Sequence, residues 1–145
     1  MANRFSVLLV DDDLNVRQSL EQALALEDFH VVPAANSLEA MRGFGENWID
    51  VVLLDVHLGT ENGWDTCREL RRIEPRLPVI MMSGHAGESA AAATSQEILA
   101  FLEKPLDLAL LFGKLGELAA IAPAPAANRR PRSRKCTKPS SNTGL

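Results

Sequence analysis

Two uninterrupted apolar runs, each closed by aspartate, constrain this chain more than any other feature. Val7-Leu8-Leu9-Val10 opens into Asp11-Asp12-Asp13, and Val51-Val52-Leu53-Leu54 ends in Asp55. A strand that is apolar at every position is buried on both faces, and such strands belong to parallel sheets covered by helices on either side. A hairpin meander with one wet face would alternate instead. The two runs therefore predict buried strands that deliver carboxylates to one edge of a sheet.

The remaining pattern alternates in the same way up to about residue 121. Val16, Leu20, Ala23 and Leu24 lie on one stripe of a 3.6-residue period, and Asp13 stands where it caps that helix. Residues 29–33 read as a second strand. Asn36 or Ser37 caps a short helix expected to run to about Phe44, with Gly45 as its stop. Residues 50–56 form the most apolar strand. Gly59 and Gly63 bracket a loop, and Trp64, Cys67, Leu70 and Arg71 continue on a helix that stops before Pro75. Residues 77–82 form a fourth strand and 100–102 a fifth, with an alanine-rich helix over 88–96 between them. Asp107 caps a last helix whose stripe is Leu108, Leu111, Phe112, Leu115, Leu118 and Ala119. Gly113 and Gly116 weaken that helix by about 1 kcal/mol each. Strands alternating with helices predict an α/β fold with a parallel sheet, in which functional groups gather beyond the carboxyl ends of the strands. Asp11, Asp12, Asp55, Ser83 and Lys104 all fall at such ends.

Charge divides the chain in two. Residues 1–122 carry all 19 acids and 9 of the 15 basic residues, a net charge of −10, whereas 123–145 carry six basic residues and no acid. The Pro/Ala stretch 122–127 reads as a spacer and the rest as a disordered tail. The expected organisation is one domain over 1–121 followed by a linker and tail over 122–145. The tail admits three readings: a solvated terminus, a segment attracted to an anionic partner such as nucleic acid, or the remnant of a linker. No reading helix accompanies its charges, so any nucleic-acid contact is expected to be weak and sequence-independent. No run approaches the roughly 20 apolar residues of a membrane span, and the N-terminus lacks the apolar core of a secretory signal. A cytoplasmic location without membrane contact is the expectation. Cys67 and Cys136 show no metal spacing, which points to reduced thiols.

The strand-end residues suit one chemistry. A carboxylate is a competent nucleophile toward phosphorus, and aspartyl phosphate is a known type of covalent intermediate. Charge is the obstacle, and Mg²⁺, which takes one or two carboxylates together with waters and phosphate oxygens, relieves it. Asp11 and Asp12 supply such ligands beside Asp55. Lys104 offers a mobile point charge to Asp55 and then to the phosphoryl group, and Ser83 a hydroxyl donor to phosphate.

Val10-Asp11-Asp12-Asp13, Leu54-Asp55-Val56, Met82-Ser83-Gly84 and Glu103-Lys104-Pro105 together resemble, in order and separation, the four motifs of bacterial response-regulator receiver domains. The resemblance covers about residues 5–121. It implies a doubly wound, flavodoxin-like, five-stranded parallel sheet of strand order 2-1-3-4-5. It further implies Asp55 as phospho-acceptor, and Asp12, Asp55 and the His57 backbone carbonyl as direct Mg²⁺ ligands, with Asp11 acting chiefly through water. Ser83 is then the switching hydroxyl, Lys104 the phosphate-contacting cation, and Phe101 the aromatic switch residue. Gly59 departs from the pattern where proline is common, and Glu97 where glycine is.

On this reading the chain is a stand-alone receiver in a two-component phosphorelay. It takes phosphate from a sensor histidine kinase or phosphotransfer protein and signals to an unknown output protein through the face of the fourth helix, fifth strand and fifth helix. It is not an enzyme beyond Mg²⁺-dependent self-phosphorylation and self-dephosphorylation. Two rivals stand beside it. One is a small HAD-like phosphohydrolase with an aspartyl-phosphate intermediate, for which 56–63 offers only Glu61 as general acid and no cap. The other is an interaction module that works without phosphorylation. His57 and His85 flank the site and read as exposed loop histidines rather than as a catalytic base or a phosphohistidine, with side chains that can still tune water attack. His30 reads as a strand-edge residue without a chemical role. Trp48 and Trp64 read as packing residues.

Overall fold

The computed structural model describes residues 5–84 and 98–121. Its centre is a five-stranded parallel sheet made of β1 (Ser6–Val10), β2 (His30–Ala34), β3 (Val51–Asp55), β6 (Val79–Ser83) and β7 (Ala100–Glu103), in the order β2-β1-β3-β6-β7. Two short strands between β3 and β6, β4 (His57–Leu58) and β5 (Glu61–Asn62), pair antiparallel as a separate hairpin. With the hairpin set aside, the order is the expected 2-1-3-4-5. All five residues of β1, β3 and β6 are buried. That follows from their inner positions and from a sequence that is apolar except at the strand ends, Ser6, Asp55 and Ser83.

Alternating side chains of these strands feed two cores. On one face Leu8, Val10, Val52, Leu54 and Met81 pack with Ala40 and Phe44 of α2 (Ser37–Glu46) and Cys67 and Leu70 of α3 (Gly63–Ile73). On the other, Val7, Leu9, Leu53, Ile80 and Met82 pack with Leu20 and Leu24 of α1 (Leu14–Leu26) and Leu111 and Leu115 of α4 (Leu108–Ala120). Two-sided coverage is what keeps the carboxyl edge of the sheet as the open end.

Helix starts follow the sequence closely. Asp13, Asn36 and Asp107 each cap a helix through their side-chain oxygens. Ends are less regular. Gly45 does not stop α2, which runs to Glu46, where the Asn47 side chain and main-chain amide both bond to the Gly43 carbonyl. At the end of α1, Asp28 takes a left-handed φ of 68°. Its amide bonds to Ala25 and that of Phe29 to Leu24, the paired closure usually completed by glycine. The predicted fourth strand begins two residues early, because the Leu77 amide turns back to Glu74 and only Val79 enters the ladder. The loop expected over 59–63 is instead the β4–β5 hairpin. On α4 the stripe narrows, with Leu111 and Leu115 buried, Phe112 and Leu118 partly so, and Leu108 and Ala119 exposed. The helix continues unbroken past Gly113 and Gly116. The expected helix over 88–96, His85 and the tail over 122–145 lie outside the described residues. Among the described residues, no helix is long and apolar enough to cross a membrane.

Candidate functional site

Asp11, Asp12 and Asp55 converge at the carboxyl edge, one oxygen of each lying within 4.8 Å of the others. Asp11 is wholly buried and Asp55 is 5% exposed, while Asp12 faces solvent. Each is aimed by a main-chain amide. The Asp13 amide donates to Asp11 Oδ1 at 2.9 Å, the His57 amide to Asp55 Oδ1 at 3.0 Å, and the Gly59 amide to Asp12 Oδ2 at 2.8 Å. Gly59 reaches Asp12 from a left-handed turn, φ 64°, between β4 and β5. That conformation suits glycine and explains why the proline of the common pattern is absent here.

Lys104 completes the cluster. β7 and β1 are separated in the sheet by β6 and β3, yet Lys104 Nζ donates to Asp55 Oδ2 at 2.7 Å and to Asp11 Oδ2 at 2.8 Å. Its main chain is fixed by a 2.7 Å bond from its amide to the Ser83 carbonyl and is followed by a cis bond to Pro105. The sequence reading expected the contact with Asp55; the contact with Asp11 it missed, although an acid pair beside one lysine was the available signal. Burial, the largest influence on Asp11, raises its carboxyl pKa above the usual value, against the lowering bonds from Lys104 and the Asp13 amide. Burial alone would lower Lys104, but its bonds to Asp11 and Asp55 outweigh that and raise it. The ammonium is therefore held charged between two buried acids.

Ser83 is buried at the end of β6, in register with Glu103 and one residue beyond Met82, the partner of Asp55. Phe101 on β7 is half-buried and stacks against Trp64 of α3, ring centroids 6.3 Å apart and planes 25° apart. His57 exposes its side chain beside Asp55, and His30 is exposed on the edge strand β2. Trp48 donates its indole N–H to Asp50. Cys67 is buried as a free thiol.

The oxygen donors fit a hard divalent cation. Three carboxylates within reach of one centre, one of them open to solvent, match the mixed carboxylate and water shell that Mg²⁺ prefers. Soft metals call for sulfur or imidazole, and the site presents neither side chain among its converging groups.

Comparison with known families agrees with this geometry. Residues 7–115 match the response regulator receiver domain. The chain belongs to that family. Receiver domains of two-component systems are phospho-accepting signalling domains rather than classical enzymes, with phosphorylation on aspartate and Mg²⁺ binding typical of them. The receiver described here is 32% identical to the transcriptional regulatory protein GlrR of Escherichia coli (strain K12) over 133 residues, 91% of this chain and 30% of that protein. It is 37% identical to the regulatory protein AtoC of the same organism over 103 residues, 70% of this chain and 22% of that protein. The chain thus spans less than a third of these relatives. A crystal structure of a response regulator receiver domain protein from Clostridium thermocellum superposes with a TM-score of 0.74 at 28% identity, covering 80% of this chain and 94% of that one.

The phosphohydrolase and phosphorylation-independent readings are not favoured. Glu61, the only acid that the hydrolase reading could offer as general acid, accepts the Ser37 amide at 2.8 Å and so caps α2 from outside.

Proposed function

We propose that Asp55 of this receiver accepts a phosphoryl group from a phosphohistidine of a sensor histidine kinase or phosphotransfer protein. One observation carries the reading: a single ammonium bridges the two buried carboxylates, Asp11 and Asp55, beside a third acid open to solvent. An Asp55 carboxylate oxygen attacks phosphorus, the P–N bond breaks, and the electron pair leaves with the donor imidazole, which ends protonated. Attack by water on the same phosphorus later releases inorganic phosphate and restores the carboxylate. Asp11, Asp12, Asp55 and the His57 main-chain carbonyl would hold Mg²⁺, Asp11 chiefly through water. Bound there, Mg²⁺ offsets the repulsion between the acceptor and the phosphoryl oxygens.

The protein's own groups supply placement and charge, which phosphoryl transfer mostly requires. Lys104 leaves Asp55 for a phosphoryl oxygen while keeping its bond to Asp11, so the ammonium stays paired throughout. The Ser83 hydroxyl donates to a second phosphoryl oxygen, and Phe101 moves with it. The added charge biases a two-state element read by an output protein on the face that carries β7 and α4. The six basic residues of 123–145 add salt-sensitive attraction to an anionic partner, nucleic acid included. The switch operates in the cytoplasm.

Incubation with Mg²⁺ and acetyl phosphate tests this, read by intact mass. One phosphoryl group per chain is expected, lost in Asp55→Asn and without Mg²⁺. Undiminished labelling of Asp55→Asn would overturn the assignment, and steady turnover of small phosphate esters would favour a hydrolase.

A further inference from the structure

The junction between β3 and α3 is unusually tight. The Gly63 amide donates to the Val56 carbonyl at 2.6 Å. A Cβ placed on Gly63 would overlap the Asp55 carbonyl oxygen and lie 3.0 Å from both the Asp55 carbonyl carbon and the Val56 Cα. All three of these atoms belong to the main chain, so nothing there can swing aside. The first residue of α3 is therefore seated against the backbone of Asp55 itself. The next residue is Trp64, whose amide is capped by the Asn62 side chain at 2.7 Å and whose indole stacks on Phe101. Through the sheet, Phe101 is reached from Asp55 only by way of β6. Through α3, two contacts suffice.

We propose that Trp64 is a positioning residue: it holds the Phe101 ring in its resting place on β7 and, through Gly63, ties that ring to the main chain of Asp55. This rests on Asp55 being the acceptor. A backbone adjustment at Asp55 on phosphorylation is transmitted to the start of α3 without slack, because Gly63 has no side chain to absorb it. The indole moves with the helix, and the ring stacked on it loses or regains its support. This route, through Gly63 and Trp64, is separate from the one through Ser83. Where two routes meet on one ring, both bias the same two-state element, which is the physical requirement for coupling.

The chain has two tryptophans, so Trp48→Phe leaves Trp64 as the sole emitter in the full-length protein. Its emission is followed on adding Mg²⁺ and acetyl phosphate, with the phosphorylated fraction measured on the same samples by intact mass. Emission is expected to shift in proportion to that fraction, and to stay fixed in Trp48→Phe/Asp55→Asn. A stacked aromatic pair is worth enough to change a conformational population by about 2- to 10-fold. Trp64→Leu, which frees the ring, should thus raise the rate of phosphorylation by acetyl phosphate by about that factor. Trp64→Phe, which keeps an aromatic partner, should restore most of the original rate. Absence of any label on Asp55 would overturn the acceptor reading and this inference with it. A labelled Asp55 beside an unmoved Trp64 emission, or a Trp64→Leu rate equal to that of the parent, would overturn the inference alone. The emission measurement leaves Trp64 in place, so it decides the matter even if Trp64→Leu does not fold.

Discussion

Replacing Lys104 with methionine removes one ammonium from between two buried acids, and the consequence can be worked from the contacts. Lys104 Nζ lies 2.7 Å from Asp55 and 2.8 Å from Asp11. At an effective dielectric constant near 20, each contact is worth about 6 kcal/mol of gross attraction. Desolvation of all three groups takes back most of this, and breaking a buried pair costs about 3–5 kcal/mol net. The lysine side chain is 20% exposed, so water screens part of the gain and about 3 kcal/mol is the expected loss. For a domain of this size that lowers the melting temperature by about 10–20 °C. Urea unfolding in EDTA measures it.

The loss also has a pH signature. Lys104 is raised from 10.5, so its contribution is fully present below that pH and disappears as pH climbs through the higher folded value. The gap between parent and variant should therefore close above pH 10.5. It should also narrow in acid, because Asp11 is raised from 3.8 and its protonation leaves one charge fewer to neutralise. Mg²⁺ should stabilise the variant more than the parent, because a cation then replaces the missing ammonium; at a hundredfold excess over the variant's own dissociation constant the variant gains about 2.7 kcal/mol. A variant within about 0.5 kcal/mol of the parent in EDTA would refute the claim that the ion pairs hold this edge together.

Other outcomes follow from single contacts. Gly63→Ala places a methyl group against the main chain of β3 and should cost about 3 kcal/mol or more, whereas Gly113→Ala, with nothing within 4 Å of its Cβ, should stabilise by about 0.5–1 kcal/mol; denaturant midpoints of the two compared with the parent test the contrast. Cys67 is pushed up from 9.0 by burial, so in a Cys136→Ala background it should resist a thiol reagent until the protein unfolds. Above pH 9.0 the unfolded chain gives up a proton that the folded one keeps, so stability should decline there and Cys67→Ala should lessen the decline. Asp12→Asn removes the one acid of the three that faces solvent and should weaken Mg²⁺ binding about tenfold, near 1.4 kcal/mol, by calorimetric titration.

What could be read from the sequence was whatever depends on near neighbours. Val7–Val10 and Val51–Leu54 declare buried strands because no polar residue interrupts them, and Asp13, Asn36 and Asp107 declare helix starts because a cap bonds to amides two or three residues on. Gly45 misled because a glycine near a helix end is only permitted to stop it; the side chain of Asn47 satisfied the last turn instead. Asp28 closes α1 in a conformation associated with glycine, so no residue type announced it. The hairpin over 57–62 was hidden for a different reason. Its strands are two residues each, and it is held by Asp12 of the β1–α1 loop and by Ser37, the first residue of α2, both distant in sequence.

The carboxyl edge of the sheet shows why the motifs reached the residues and not their arrangement. Each acid is oriented by a main-chain amide, from Asp13, His57 and Gly59. An amide partly neutralises a carboxylate without bringing a side chain into the hollow, so the charge is stabilised while room for a cation and a phosphoryl group is kept. Every residue but proline carries such an amide, so this half of the site leaves no trace in residue identity. The exception is Gly59, where a left-handed φ is required to aim the N–H at Asp12. Side chains carry the other half, and there a single cation had to serve two acids whose strands, β1 and β3, are not adjacent to its own. The long, flexible stem of a lysine does that while remaining free to follow the charge when, in the proposed reaction, it moves from Asp55 to a phosphoryl oxygen.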